Sequence, residues 1–507
     1  MPFNDPLRTL LAFPFSLLLL TACSSDERDK APAGFIETVD FDATTAFNTY
    51  NETTFDTSTC QSLPLPAISG YFAAPDGRAD APGTRQGPLD LQSALSADSP
   101  LRPGDTLWLL PGRYHGAFTA EIHGTAAAPI EVRPLPGKRV ILDNSGHLGS
   151  GLTVAYVGQW VDYHGLEVLS SSTARRSEED SSSPGDLSTN GGVTLFAANT
   201  NLINFIIHDN IGGGISSWRT TNLDADSELY GNIIYNNGWT APGRGHGHAI
   251  YIQNEDGFKK ISSNIIFFGF ATGIHAYTEG GYINNFDIED NVWFMTGASD
   301  PRASQKKDNC LVGGFHPVRN LLLKGNLGYS ENARGTRIGY GDSVTGQDAL
   351  LEENYLSENL WVRGHWDQLQ LRGNTLFRGL GDAYDSVADL GDNEIRNTPP
   401  GSGKKLFVHQ NAHDPRRARI VIYNYDEDAK VSVDLSQLLV RGEAYRIHSV
   451  FGLFERALIE GIYDGSSIEI PMGSVRPPQP TGLEGLEESD DPHRRFGVFV
   501  ITHGGCL

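Results

Sequence analysis

The chain has 507 residues and sets 39 Lys and Arg against 62 Asp and Glu, a formal charge of −23; phosphate binding needs a positive surface, so this balance argues against a nucleic-acid partner. Hydrophobic residues at 39 %, with 10 % aromatic, exclude a wholly disordered chain. The 57 glycines beside 3 methionines favour turns and β structure over helix bundles, and four cysteines are too few for a disulfide scaffold of this size.

Arg8 precedes an apolar run over residues 10–20. The run is shorter than the ~20 residues a spanning helix needs and has the size of a secretory-signal core. It ends in Leu20-Thr21-Ala22-Cys23, which resembles the lipobox of bacterial lipoproteins. That resemblance implies removal of residues 1–22, lipidation of Cys23 and a membrane tether held by acyl chains. Ser24 follows the cysteine and no Asp stands there, which implies anchoring at the outer membrane. Residues 23–66 are polar, rich in Thr, Asp and Ser, and read as a tether. Cys60, Cys310 and Cys506 remain, and a clasp between Cys60 and Cys506 is one pairing among those open, since sequence does not dictate connectivity.

Residues 67–400 read as short strands separated by Gly, Asn, Asp and Pro. Segments of one form recur, among them Gly231-Asn232-Ile233-Ile234-Tyr235, Ser263-Asn264-Ile265-Ile266-Phe267 and Asp290-Asn291-Val292-Trp293-Phe294. Asn204, Asn326, Asn354 and Asn374 continue the series, at intervals of 20 to 35 residues. Such a period without a helical pattern predicts a β-solenoid; a propeller blade would take ~40–45 residues. Asn suits the left-handed conformation of a tight turn, and stacked at ~4.8 Å its amide bonds its neighbours in a ladder.

The stretch Gly70-Tyr71-Phe72-Ala73-Ala74-Pro75-Asp76-Gly77, with Pro103-Gly104-Asp105-Thr106-Leu107-Trp108-Leu109 and Ala128-Pro129-Ile130-Glu131-Val132, resembles the first coils of right-handed parallel β-helix proteins of the pectate-lyase-like group. The resemblance covers residues 70–391 and implies a fold rather than a reaction, because that fold hosts lyases, hydrolases, epimerases and tailspikes. Residues 401–507 change pattern: Arg419-Ile420-Val421-Ile422-Tyr423 and Phe496-Gly497-Val498-Phe499-Val500 alternate, predicting a small antiparallel β-sandwich. Residues 482–491 form an acidic loop.

The stretch richest in chemistry is Arg244-Gly245-His246-Gly247-His248-Ala249-Ile250-Tyr251-Ile252-Gln253, followed by Gly273-Ile274-His275-Ala276-Tyr277. Alternation with Ile250 and Ile274 inward points Tyr251 and His275 outward on adjacent strands. Ile215 aligned with Ile250 adds Ser216 to that row and Trp218 to a second row with Gln253 and Tyr277, while Arg337 and Tyr340 lie in the comparable region downstream. Aromatic faces pack on sugar rings and polar tips meet hydroxyls, so Trp218, Gln253, Tyr277, His246 and His248 are the substrate-binding candidates, unless residues 170–190 cover them as a lid. A partner polysaccharide is expected.

Eliminative cleavage of a uronate polymer needs a base, an acid for the leaving oxygen and a cation on the carboxylate. His275 and Tyr251 suit the first two roles in either order, with Arg244 or Arg337 as the cation. No cofactor is required. A divalent metal such as calcium is the alternative, through His246, His248, Asp224, Asp226 and Glu279. Hydrolysis would need two carboxylates on one face, for which Asp224, Asp226, Glu279 and Asp342 are the candidates; a glycan-binding lipoprotein without catalysis is the third reading. A body of charge −23 repels polyuronates unless the cleft is locally basic, and Arg219, Arg244, Lys306, Lys307, Arg334 and Arg337 are available to make it so.

Overall fold

Two hydrophobic patterns build the body. Triplets such as Ile250-Tyr251-Ile252 and Ile274-His275-Ala276 alternate, while Ile233-Ile234-Tyr235 and Val292-Trp293-Phe294 are apolar throughout. The computed structural model describes residues 68–218, 225–301, 307–331, 334–341, 344–378, 392–483 and 494–504. The signal segment, Cys23, the tether, Cys60, Cys506 and most of the acidic loop lie outside the described residues, as do Arg219, Asp224, Lys306 and Asp342.

The chain winds into a parallel β-helix of three sheets, two of eleven strands and one of nine, every strand paired in parallel with its equivalents one coil away. One continuous core fills the interior, with Ile250, Ile274, Cys310, Ile338 and Leu360 among its inward side chains. Cys310 is a free thiol in that core, and burial pushes its pKa well up. The helix Leu91–Leu95 closes the first coil: Asp90 accepts from Ser93 N, and Leu91, Ala94 and Leu95 turn inward. An end coil has no neighbour to bury its apolar face, so a cap of this kind is needed.

The asparagine ladder runs from Asn232 through Asn264, Asn291, Asn326, Asn354 and Asn374 to Asn393. Each Nδ2 donates to the next Oδ1 at 2.7–3.0 Å. Two details differ from the sequence reading. The left-handed residue is the one before the asparagine, at φ +65° for Gly231, +57° for Ser263 and +55° for Glu353; the asparagine is kept for its amide, whose oxygen accepts from both the backbone N and the side-chain Nδ2 of the asparagine one coil earlier. Asn204 is not a rung. It takes the left-handed position itself, φ +58°, Phe205 N donates to Asn232 Oδ1, and its side chain bonds Asn411.

The C-terminal residues form a five-stranded antiparallel sheet in the order Lys404–Gln410, Arg417–Asn424, Phe496–His503, Ala444–Ser449, Ile459–Ile462. A two-stranded sheet, Lys430–Val433 with Lys430 opposite Pro471, covers one of its faces. Its other face packs on the apolar triplets of the β-helix, where Val421, Tyr423, Phe496 and Val498 meet Tyr235, Phe267, Phe294 and Tyr329. This explains the continuous runs: in Ile233-Ile234-Tyr235 the middle residue points into the β-helix core and the flanking two into the domain seam. Stacked rings mark the seam, Tyr235 on Phe267 at 4.9 Å and Phe267 on Phe294 at 5.1 Å. At one edge of the seam His208 sits between Asp209 (2.8 Å) and Glu167 (3.1 Å). Burial opposes its charge, but the two carboxylates outweigh burial and raise its pKa to about 9.

Candidate functional site

The nine-stranded sheet has the alternating triplets, and its outer face is not covered by the C-terminal domain. Ile215 pairs with Ile250 and Ile250 with Ile274, which sets Ser216, Tyr251 and His275 side by side in the predicted register. The row continues through Leu311 to Arg337 and Trp361, and upstream through Thr194, Thr153 and Thr119.

At its centre the Tyr251 and His275 rings are 5.5 Å apart. His248, delivered by the left-handed turn at Gly247 (φ +85°), lies 4.0 Å from His275 by ring centroids. Tyr277 stacks on the other side of His275 at 4.8 Å and 6°. Gln253 Nε2 donates to the Tyr277 carbonyl (3.0 Å) and the Tyr251 hydroxyl (3.3 Å), joining the two rows. Neither His248 Nδ1 nor His275 Nδ1 has a hydrogen-bond partner among the described residues.

The environment sorts the protons. Burial first, then His248, Arg337 and Arg244, holds His275 well below the ordinary histidine range. Burial pushes His248 down to about 3, with Arg244 and Lys307 adding to it. Burial raises the Tyr251 phenol, although Gln253 opposes this. At neutral pH the site therefore offers two unprotonated imidazoles beside a protonated phenol.

Cations gather at one end. Lys307, just before the strand Asp308–Val312, has a lowered pKa, through burial and then the nearby charge of Arg244, with Arg334 contributing; Arg334 N donates to the Lys307 carbonyl. Arg244 and Arg337 both act on His275. Four of the six candidate cations are thus within electrostatic reach of one another or of the imidazoles. Arg337 is the most committed: its guanidinium pairs with Asp308 and lies 5.3 Å from the Tyr340 ring centroid. It is also separated from His275 by Leu311, whereas Arg244 is exposed and its guanidinium bonds only Ser182 Oγ, at 3.1 Å, among the described residues. Lys307, named in the sequence only as one of six scattered cations, is set by the structure beside Arg244.

His246 is not brought to the row. It pairs in a two-residue antiparallel ladder with Trp239, stacks on that ring at 4.8 Å and is buried. The cause is the insertion 170–190, which docks beside the row: Arg175, fully buried, donates to the Gly238 and Thr481 carbonyls, and Leu187 packs on Trp239. Of the acidic candidates, Asp226 accepts from Phe258 N and Glu279 is exposed, 3.4 Å from the Tyr277 hydroxyl. Among the described residues no three His, Cys, Asp or Glu side chains converge as a metal-binding group.

An aromatic track runs beside the row. Tyr156 stacks on Phe196 at 5.0 Å, and Phe196 meets the exposed Trp218 edge-on at 5.6 Å. Beyond the histidines, Tyr277, Tyr340 and the exposed Phe315 form a second group at 5.0–6.3 Å. Tyr156, Phe196 and Phe315 escape a reading of sequence because each meets its neighbours across coils.

No protein-family model matches the chain, and no curated protein matches it. Among solved structures it is similar to a pectate lyase, Pel9A, at 17 % identity and a TM-score of 0.40, over 64 % of this chain and 78 % of that one. It is similar also to an alginate lyase from Paenibacillus sp. str. FPU-7, at 19 % identity and a TM-score of 0.39, over 60 % and 94 %. A GH136 lacto-N-biosidase from Eubacterium ramulus is alike at 14 % identity and a TM-score of 0.38, over 64 % and 67 %. Likeness at this level says nothing of activity, and the parallel β-helix rests on the strand register itself.

Proposed function

We propose that this protein is a polysaccharide lyase cleaving a uronate-containing chain by β-elimination on the outer face of the nine-stranded sheet. The observation that carries the reading is the adjacent pair of unprotonated His275 and protonated Tyr251. His275 takes the proton α to the carboxylate, and the C4–O4 electrons leave with the departing sugar. Tyr251 gives its proton to that oxygen, and a C4–C5 double bond remains. Arg244 and Lys307 draw charge from the carboxylate, while Arg337, held by Asp308, supports the field from a distance. The low pKa leaves His275 a weak base when the site is empty, and an arriving carboxylate raises it toward the working range. Trp218, Gln253 and Tyr277 seat the neighbouring sugar rings, and His248 keeps His275 desolvated.

The resemblance of Leu20-Thr21-Ala22-Cys23 to a lipobox supports anchoring at the outer membrane through Cys23, where an exported glycan would be in reach. The test is a panel of alginate, pectate and glycosaminoglycans followed in the ultraviolet for unsaturated product. His275→Ala should abolish that product and keep binding. Reducing ends without unsaturation would replace elimination by hydrolysis, and binding without cleavage would leave a glycan-binding lipoprotein.

A further inference from the structure

The seam between the β-helix and the C-terminal domain holds a charged defect far from the lyase row. Along the strand Arg417–Asn424, alternation sends Val421 and Tyr423 into the seam and Ala418, Ile420 and Ile422 into the domain's own core. The same alternation puts Arg417 and Arg419 on the seam side, ~7 Å apart along the strand. Arg419 is only 5 % exposed, and none of its three guanidinium nitrogens has a hydrogen-bond partner among the described residues. A charge buried without partners is strongly unfavourable, so a site that keeps one is built to receive something. Burial lowers the Arg419 pKa to about 10, still well above neutrality, so the fork stays charged.

The fork lines a small cavity of about 20 Å³ that opens to solvent, with Tyr230, Ser263, His409 and Arg417 around it. Several other polar groups there are committed: Asn411 bonds Asn204, Gln410 bonds the Pro415 carbonyl, the Tyr230 hydroxyl accepts from Ala412 N, and Arg417 donates to the Gly231 carbonyl at 3.3 Å. Burial and then Arg419 hold His409 down to about 4, so it is neutral and ready to donate from its ring. Asp290 acts on Arg419 through space without a hydrogen bond.

We infer that this cavity binds a small oxyanion, held bidentately by the Arg419 fork with Arg417 beside it, which fastens the C-terminal domain to the β-helix. A planar fork matches a carboxylate or an inorganic oxyanion, so the source is either the carboxylate of a free uronic acid or inorganic phosphate or sulfate.

The experiment is thermal unfolding of the full chain, titrated separately with glucuronate, phosphate and sulfate at ionic strength held constant with chloride. The midpoint should rise saturably in at least one arm, and the arm that responds names the source. Arg419→Met should unfold at the same or a higher temperature than the parent in chloride alone, since it removes an unpaired charge, and should lose the anion response. Arg419→Lys, which keeps the charge but not the fork, should need at least tenfold more anion. A midpoint flat in all three arms overturns the site, as does an undiminished response in Arg419→Met. If that variant does not fold, an unchanged response in Arg419→Lys overturns it. His275→Ala should respond like the parent, so failure of this site and failure of the lyase reading are told apart.

Discussion

Two sheets of the same β-helix have met opposite fates. The sheet containing Ile233–Tyr235, Ile265–Phe267 and Val292–Phe294 is buried on both faces and spends its outward side chains on the C-terminal domain. The sheet containing Ile250–Ile252 and Ile274–Ala276 keeps the same inward pattern and leaves Tyr251 and His275 partly exposed. The backbone pairing is alike in both, so the difference lies wholly in the residues at the outward positions. A histidine on each side makes the point: His208 is held charged by two carboxylates that outweigh its burial in the seam, and His275 is held neutral first by burial and then by His248, Arg337 and Arg244.

Substitutions can break this comparison. On the covered sheet Phe267→Ala should cost about 3–5 kcal/mol in denaturant unfolding, by lost transfer energy and the cavity left behind, while leaving turnover of the folded fraction unchanged. On the open sheet His275→Ala should do the reverse, lowering unsaturated-product formation about 10²–10⁴-fold with an unfolding midpoint near the parent's. If both variants hurt stability alike, the open face is ordinary covered surface. Asn291→Ala, which removes one rung and strands its neighbours' donors and acceptors, should cost about 1–3 kcal/mol and serves as a measure common to both sheets. Trp218→Ala should raise KM about five- to tenfold, about 1 kcal/mol of stacking, with kcat little changed.

The smallest effect is one of sign. His208 has a raised pKa in the folded state, so its contribution is complete below about 6.5 and fades as pH climbs through about 9. His248 has a depressed pKa, so the unfolded chain takes up its proton first, and stability falls as pH drops from about 6.5 toward about 3. His208→Gln should therefore flatten the alkaline limb of a urea-midpoint profile and His248→Gln the acid limb. Loss of the same limb in both variants would erase the distinction between the two faces.

The fold was legible because an asparagine followed by a short strand recurs wherever a coil is fastened to the next, most plainly at Asn232, Asn264 and Asn291, and a ladder residue is hard to replace. The register of Tyr251 with His275 followed from alternation alone. The site was legible only in part. His246 reads like His248, two residues apart on one strand, until the insertion anchored by Arg175 draws it against Trp239. Arg337 reads as a free clamp until Asp308 is placed beside it. The objection raised by the charge of −23 weakens once Arg244, Lys307, Arg334 and Arg337 are seen to share one end of the row, which nothing in their spacing along the chain discloses.

The amide ladder also works as a ruler. Successive rungs are separated by as few as 19 residues and as many as 35, yet every rung closes with the same bond, so the rise per coil does not depend on how much chain is spent between them. Insertions and deletions can therefore reshape the walls of the open face, as residues 170–190 do, while the distance from Ser216 to Tyr251 to His275 stays constant. A lineage built on this scaffold is free to exchange its loops without shifting the register of Tyr251 on His275.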